Sequence, residues 1–416
     1  MIPERLITNP SVLKAREAVK KGVHWINYHL FRRLGLHYYG FGMPRNAITS
    51  WKNLEQYIQK KGENNRSYKL LGAVNENYEI GYPDKVIGHS SPAASVEPSQ
   101  INAFVALIQI PDASIYYRDF MLVSNDGILL GPFSHWPAMP IQLHSCRSKI
   151  NYRITQHYSG KSLLIRGSLY YHFLFEGIAT LLLALKSGYK LDDFDQVILW
   201  QYKPGFHDSI LQYFGVPASK IVALNHINDH VRCETLVSAN FFDNKGPWLR
   251  ENLLNFLKVP IPPLPTGIGK RIFISRNNAG VRNLLNEEGV MAVLRSYGFV
   301  CICNEDYSWL EQVAIMTQVD WVMGVHGSNL SNIVFMKPGT SLIELRYYKH
   351  DNYNKDLYYQ IAKAQQVIYY LMYAQKGEEH MNLNGRYIDH ANADIEIDTI
   401  ILEHLLAELF VNKSSN

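Results

Sequence analysis

The chain has 416 residues, 47% of them hydrophobic and 19% charged, with a formal net charge of +4 at pH 7. That balance describes a globular protein of two or three domains and excludes a disordered one. The charge is uneven: residues 1–35 hold seven basic against two acidic side chains, and the other 381 hold 34 against 35. A near-neutral body argues against a nucleic-acid partner.

Cys146, Cys233, Cys301 and Cys303 lack metal-ligand spacing, the pattern of a reduced, cytosolic chain. No run approaches the roughly 20 apolar residues of a membrane span, and the opening stretch lacks the apolar core of a signal peptide. The expected location is cytoplasmic, with peripheral contact at the inner face of the cell membrane as an extension. That contact would use residues 11–34, which read as a helix with Val19, Val23, Ile26, Leu30 and Leu34 at helical spacing and lysines mostly off the stripe. Two readings stay open: the stripe packs on the protein's own core, or it lies on an anionic membrane surface.

Residues 75–100, rich in Asn, Pro, Ser and Gly, read as a long exposed loop. From Ala103 to residue 150 short β-rich pieces alternate with Pro-Asp, Arg-Asp and the hairpin signal Asn125-Asp126-Gly127, which predicts a small antiparallel element. Strands and helices then alternate: strand 162–166, helix 169–186, strand 196–202, helix 208–214, strand 220–224, a strand-like 232–238 and helix 247–257. This alternation implies a parallel sheet. His172 and Glu176 stand four apart near the start of the first helix, either an oriented acid/base pair or a surface pair. Asp193-Phe194-Asp195 has the look of a metal-binding Asp-x-Asp, but its place between a helix end and a strand predicts loop chemistry instead.

Residues 258–269, with four prolines and two glycines, read as a stiff linker. Beyond it come strand 270–275, helix 287–297 capped by Asn286, strand 299–303, helix 307–318 and strand 319–325. A break at His326-Gly327-Ser328-Asn329 leads into a short helix, a Pro338-Gly339 turn and strand 341–345. Helix 355–365, strand 366–372, a loop over 374–393 and a helix over 395–409 complete the chain. A strand that turns into a helix through a glycine elbow aims free N–H groups at an anion above the sheet edge, most often a diphosphate. Arg276 and Arg282 follow a strand end as well, so they would converge on that elbow if strands 270–275 and 319–325 are neighbours.

The residues Ile274-Ser275-Arg276, Arg282, Asn286-Glu287, Glu311-Gln312, Gly324-Val325-His326-Gly327, Leu330, Asn332, Met336-Lys337-Pro338-Gly339-Thr340 and Glu344-Leu345 resemble glycosyltransferase family 61, in the manner of a bacterial member. Tyr171-His172-Phe173 resembles a further segment of that family. Ser328-Asn329 departs from its Ala-Gly, and Asn329 carries a Cβ where glycine allows close approach.

The resemblance implies an α/β fold of GT-B type, two Rossmann-like domains facing across a cleft. The expected division is an N-terminal arm and loop (1–100), an acceptor domain (101–257), the linker (258–269) and a nucleotide-sugar domain (270–393). A last helix (394–416) crosses back. It implies an inverting transfer from a nucleotide sugar, UDP-linked by expectation, to a glycan or lipid-linked glycan in surface polysaccharide synthesis. His172 is the expected base, oriented by Glu176. Arg276, Arg282, His326, Gly327, Ser328 and Asn329 would hold the diphosphate, and Glu344 the ribose. With cations and a helix start on the phosphates, no cofactor or metal is expected. Two alternatives stand beside it: a nucleotide-sugar epimerase or hydrolase on the same plan, and a non-catalytic nucleotide-sugar-binding module.

Overall fold

In a computed structural model of the chain, the described residues are 10–31, 33–34, 44, 46–80, 84–88, 99–116, 120–134, 154–226, 229–240, 252–257, 259–347, 357–378, 380–381, 387–388 and 392–410. The chain divides into two compact units: Met1–Asn75 with Phe104–Ser168 and Glu176–Phe242, and Glu76–Ala103 with Leu169–Phe175 and Asp243–Asn416.

The first unit opens with helix α1 (Pro10–Trp25), which continues as one π-helical turn over Ile26–Phe31. None of the described side chains of α1 is buried, and Val19, Leu30 and Leu34 of the predicted stripe lie in the open. Helix α2 (Trp51–Asn64) is capped by the Ser50 side chain and buries Leu54 and Ile58. Its sheet is mixed. Strands β1 (Asn46–Ile48), β2 (Lys69–Ile80), β4 (Ser99–Tyr116), β5 (Met121–Val123) and β6 (Ile128–Leu130) join β7 (Gln156–Arg166), β8 (Gln196–Trp200), β9 (Ile221–Leu224) and β10 (His230–Ala239). The order is β1-β6-β5-β4-β10-β7-β8-β9, with β2 on β4. Strands β10, β7, β8 and β9 run parallel, and β4 is antiparallel to β10.

Asn125-Asp126-Gly127 makes the expected β5–β6 turn, with Gly127 at φ 76°. The expected break at Pro111-Asp112 is corrected: β4 runs through it. Asp112 takes φ 49° between the rungs Ala113–Cys233 and Pro111–Thr235, and its carboxylate meets Arg232 Nε at 2.8 Å. Residues 135–150 of the predicted antiparallel element lie outside the described residues.

The second unit holds an all-parallel sheet of six strands, ordered β12-β11-β13-β14-β15-β3. These are β3 (Lys85–Gly88), β11 (Arg271–Ile274), β12 (Phe299–Ile302), β13 (Trp321–Val325), β14 (Ser341–Arg346) and β15 (Ile368–Tyr373). Such sheets are covered on both faces, so their strands are apolar without alternation. On one face Phe273, Met323, Ile343 and Met372 pack with Val290, Met291 and Leu294 of helix Glu287–Ser296 and Leu402, Leu405 and Leu406 of helix Thr399–Phe410.

Four expectations change here. Residues 75–100 are not one loop, because β2 continues to Ile80 and Lys85–Gly88 forms the edge strand against β15. The Pro-rich stretch is not where the units divide, since the second unit resumes at Asp243. Helix Thr399–Phe410, expected to cross back, buries its leucines in the core of the second unit. The expected loop 374–393 also contains short strands, with Lys376–Glu378 on Asp394–Glu396 and His380–Met381 on Tyr387–Ile388.

Candidate active site

Strands β11 and β13 pair in parallel with Ile274 opposite Gly324, so the segments that follow them, Arg276 and His326-Gly327, emerge side by side. The Arg276 side chain is buried and lies flat against Gly327: a Cβ built on that glycine would come within 2.7 Å of Cζ and closer still to Nη1. Arg276 Nη2 donates to the Val281 carbonyl at 3.0 Å, while its buried Nε has no hydrogen-bond partner among the described residues. Burial lowers the Arg276 pKa, and the nearby Arg282 charge lowers it further. Arg282 sits in the left-handed region at φ 57°, fixed through its own N–H to the Asn392 carbonyl (3.2 Å) and through Nη2 to Asn392 Oδ1 (3.1 Å). The Arg282 charge acts on Arg276 and is only partly offset by Glu305 and Asp394, which favours an anion between the two guanidiniums.

Residues Ser328–Phe335 form a 3₁₀ helix with Gly327 at the cap and no side-chain cap bond. The ordinary explanation of such an elbow, a Ser or Asn capping the helix, is therefore not what is seen. The opening N–H groups of a helix have no intrahelical acceptor, and here they belong to Ser328 and Asn329. Neither residue is left-handed, so the departure from Ala-Gly costs nothing in backbone conformation. The Asn329 carbonyl accepts from Asn304 Nδ2 at 3.1 Å, and the Gly327 carbonyl accepts from Tyr358 Oη at 2.5 Å.

Glu344, expected to reach a ribose, has a side chain that is 0% exposed, and its oxygens meet three partners: His326 Nδ1 at 2.5 Å, Arg346 Nη2 at 2.9 Å and Tyr369 Oη at 2.6 Å. Burial alone would raise its pKa, but Arg346 and His326 outweigh that and hold it at about 2. Burial also lowers the His326 pKa against the pull of Glu344. The consistent state is an ionised Glu344 accepting from Nδ1–H of a neutral imidazole, which leaves the lone pair on Nε2. Glu344 thus fixes the tautomer and orientation of His326, as a carboxylate behind a working histidine does.

The Arg346 and Tyr369 partners were missed in the sequence. A signal existed for Arg346: opposite charges at i and i+2 share one face of a strand, and β14 is otherwise wholly apolar apart from Ser341. Tyr369 carries no such mark among 27 tyrosines.

The helix holding His172 is built in three parts: Tyr170–His172, a π-helical turn Phe173–Ile178, and Ala179–Lys186. Its start belongs with the second unit. Tyr170 Oη donates to Asn332 Oδ1 of the elbow helix and accepts from Trp309 Nε1 at 2.7 Å. Asn332 Nδ2 donates in turn to Gln312 Oε1 at 2.9 Å, and Gln312 Nε2 reaches the carbonyls of Asn304 and Tyr307. His172, half-buried, therefore sits two residues beyond an anchor on the elbow. Glu176 forms a buried ion pair with Arg166.

Several motif residues are scaffolding. Glu311 completes a capping box with Ser308, Glu287 accepts from Ser275 Oγ and Asn277 Nδ2, and Asn286 at its helix start bonds the Ile397 backbone instead of capping with its side chain. Asp193 and Asp195 accept from the backbone N–H groups of Lys190 (2.7 Å) and Lys161 (2.8 Å), as loop acids do. No cluster of three or more His, Cys, Asp or Glu is placed to hold a metal ion among the described residues.

No curated protein matches this chain. Residues 170–343, which run from the anchor Tyr170 through the elbow into β14, match the family model described as Glycosyltransferase 61, a match that supports a glycosyltransferase.

Proposed function

We propose that the chain is an inverting, metal-independent glycosyltransferase of the GT-B class that takes a UDP-linked sugar and extends a glycan or lipid-linked glycan of a cell-surface polysaccharide. The observation that carries this is the anion cradle: buried Arg276 with its unpartnered Nε, Arg282 beside it, and the Gly327–Asn329 elbow on the adjoining strand. An acceptor oxygen attacks the anomeric carbon from the face opposite the diphosphate. The carbon–oxygen bond to the diphosphate breaks, its electron pair stays on the leaving oxygen, and the acceptor proton passes to a base. Arg276, Arg282 and the elbow N–H groups stabilise the charge that develops on the diphosphate.

His172 is the proposed base, held near the elbow through Tyr170. Glu176, whose carboxylate also pairs with Arg166, is the proposed residue that orients it. With Nε2 unprotonated in the free protein, His326 takes a proton when a diphosphate arrives and then donates to it.

Thermal shift against a panel of nucleoside diphosphates and nucleotide sugars is the first test, because a bound ligand raises the unfolding midpoint. No shift with any of them overturns the donor site. Transfer assayed in excess EDTA should persist; complete loss restored by manganese overturns the metal-independent route. Rapid turnover of a UDP-sugar without acceptor would favour the epimerase or hydrolase.

A further inference from the structure

Helix α1 and its π-helical extension present a physical problem. A helix of this length is marginal in water unless one face is packed, yet none of its described side chains is buried along Pro10–Trp25. The residues left exposed are large and apolar: Val19 is 66% exposed, Trp25 60%, Leu30 44% and, just past the helical turns, Leu34 62%. The same arm has a net charge of +5, more than the +4 of the whole chain, and includes exposed Lys14, Lys20 and Lys21.

We propose that this arm docks on a membrane surface containing anionic lipid, its apolar residues entering the headgroup boundary and its lysines meeting the lipid phosphates. The proposal goes beyond the glycosyl-transfer reading and does not depend on it. The partner follows from what would satisfy both features. A second copy would bring two arms of net charge +5 together, which repel. A nucleic acid would use the charges and leave Val19, Trp25 and Leu30 in water. A lipid surface offers phosphates and hydrocarbon at adjoining depths, and a tryptophan is well suited to that boundary. Docking in the plane of the surface agrees with the absence, among the described residues, of any helix long and apolar enough to cross a membrane.

The test is co-sedimentation of the full chain with phosphatidylcholine vesicles and with vesicles containing phosphatidylglycerol. Binding should be at least ten-fold stronger to the anionic vesicles and should weaken in high salt. Neutralising Lys14, Lys20 and Lys21 to Gln should reduce it about five-fold per charge. Replacing Val19, Trp25 and Leu30 with Ser should abolish it at low salt, while the thermal midpoint stays unchanged because these side chains are exposed. Equal binding to both vesicles, no binding, or full binding by the Ser variant each overturns the proposal. So does a wild-type dimer that the Ser variant turns into a monomer, since a second copy then covers the face.

Discussion

Gly327 shows how one missing side chain sets the chemistry of the elbow. Its φ of 164° is extended backbone open to any residue, so conformation does not demand glycine. Space does, because the Arg276 guanidinium lies where a Cβ would be. Gly327→Ala should leave the fold intact, push Arg276 off its bond to the Val281 carbonyl, and lower kcat/KM about 10²–10³-fold, the usual cost of losing one donor to a developing oxyanion. Steady-state kinetics with a circular-dichroism control checks this, and unchanged kinetics would remove Arg276 from the cradle. His326 leads to a prediction of opposite kind. Its pKa is lowered by burial in the free protein, and a bound diphosphate adds negative charge that favours the imidazolium. Binding therefore takes up a proton. Nucleoside-diphosphate affinity should fall as pH rises from the free-state pKa towards the bound-state pKa, approaching ten-fold per unit between them and levelling off above, and His326→Gln should flatten that slope. Calorimetric titrations across pH 6–9 decide it.

At the scale of elements, the order and type of most strands and helices among the described residues from 156 to 346 were legible because apolar runs and 3.6-residue stripes follow directly from burial, while residues 247–251 of the predicted helix 247–257 lie outside the described residues. The pairing of β11 with β13, on which the site depends, was legible only as a condition. Less local facts were not. Strand Lys85–Gly88 is four residues long with one face exposed, too short and too polar in context to be distinguished from loop. Glu344 looked like a ligand-binding acid because sequence does not reveal that Arg346 and Tyr369 enclose it. Gln312 and Asn332 looked like motif residues without a task; their task is to lock the elbow helix to helix Trp309–Met316 and to Tyr170. Tyr170→Phe tests that lock. It leaves the Trp309 Nε1–H and Asn332 Oδ1 without this partner, at about 1–3 kcal/mol for each group left unsatisfied. The unfolding midpoint should fall by about 2–4 °C per kcal/mol for a unit of this size, and transfer should drop as His172 loses its anchor. An unchanged midpoint and rate would show that the contact does not hold the helix start in place.

At the scale of the whole chain, the second unit is assembled from three separate stretches of sequence, and that has a consequence for folding. Residues 243–416 contain the elbow, both arginines and five of the six parallel strands. They lack β3, which pairs with β15 over Tyr370–Tyr373 and brings Lys85 to Glu408 at 2.5 Å. They also lack Tyr170, the partner of Trp309 and Asn332. Without β3, strand β15 becomes a bare parallel edge, an invitation to aggregation. Without Tyr170, buried polar groups beside the elbow lose a partner. A fragment spanning 243–416 contains the entire candidate cradle, so a self-sufficient domain would bind nucleoside diphosphate as the full chain does. The expectation is the reverse: broad, non-cooperative melting, a tendency to aggregate and at least ten-fold weaker binding. Joining 76–103 to the fragment through a flexible linker should restore the edge and sharpen the transition, while supplying 169–175 as well should recover affinity. Thermal melts and titration calorimetry on the three versions give the answer. A fragment 243–416 that melts sharply and binds with full affinity would mean that the two borrowed segments are accessories of the unit and not part of its core.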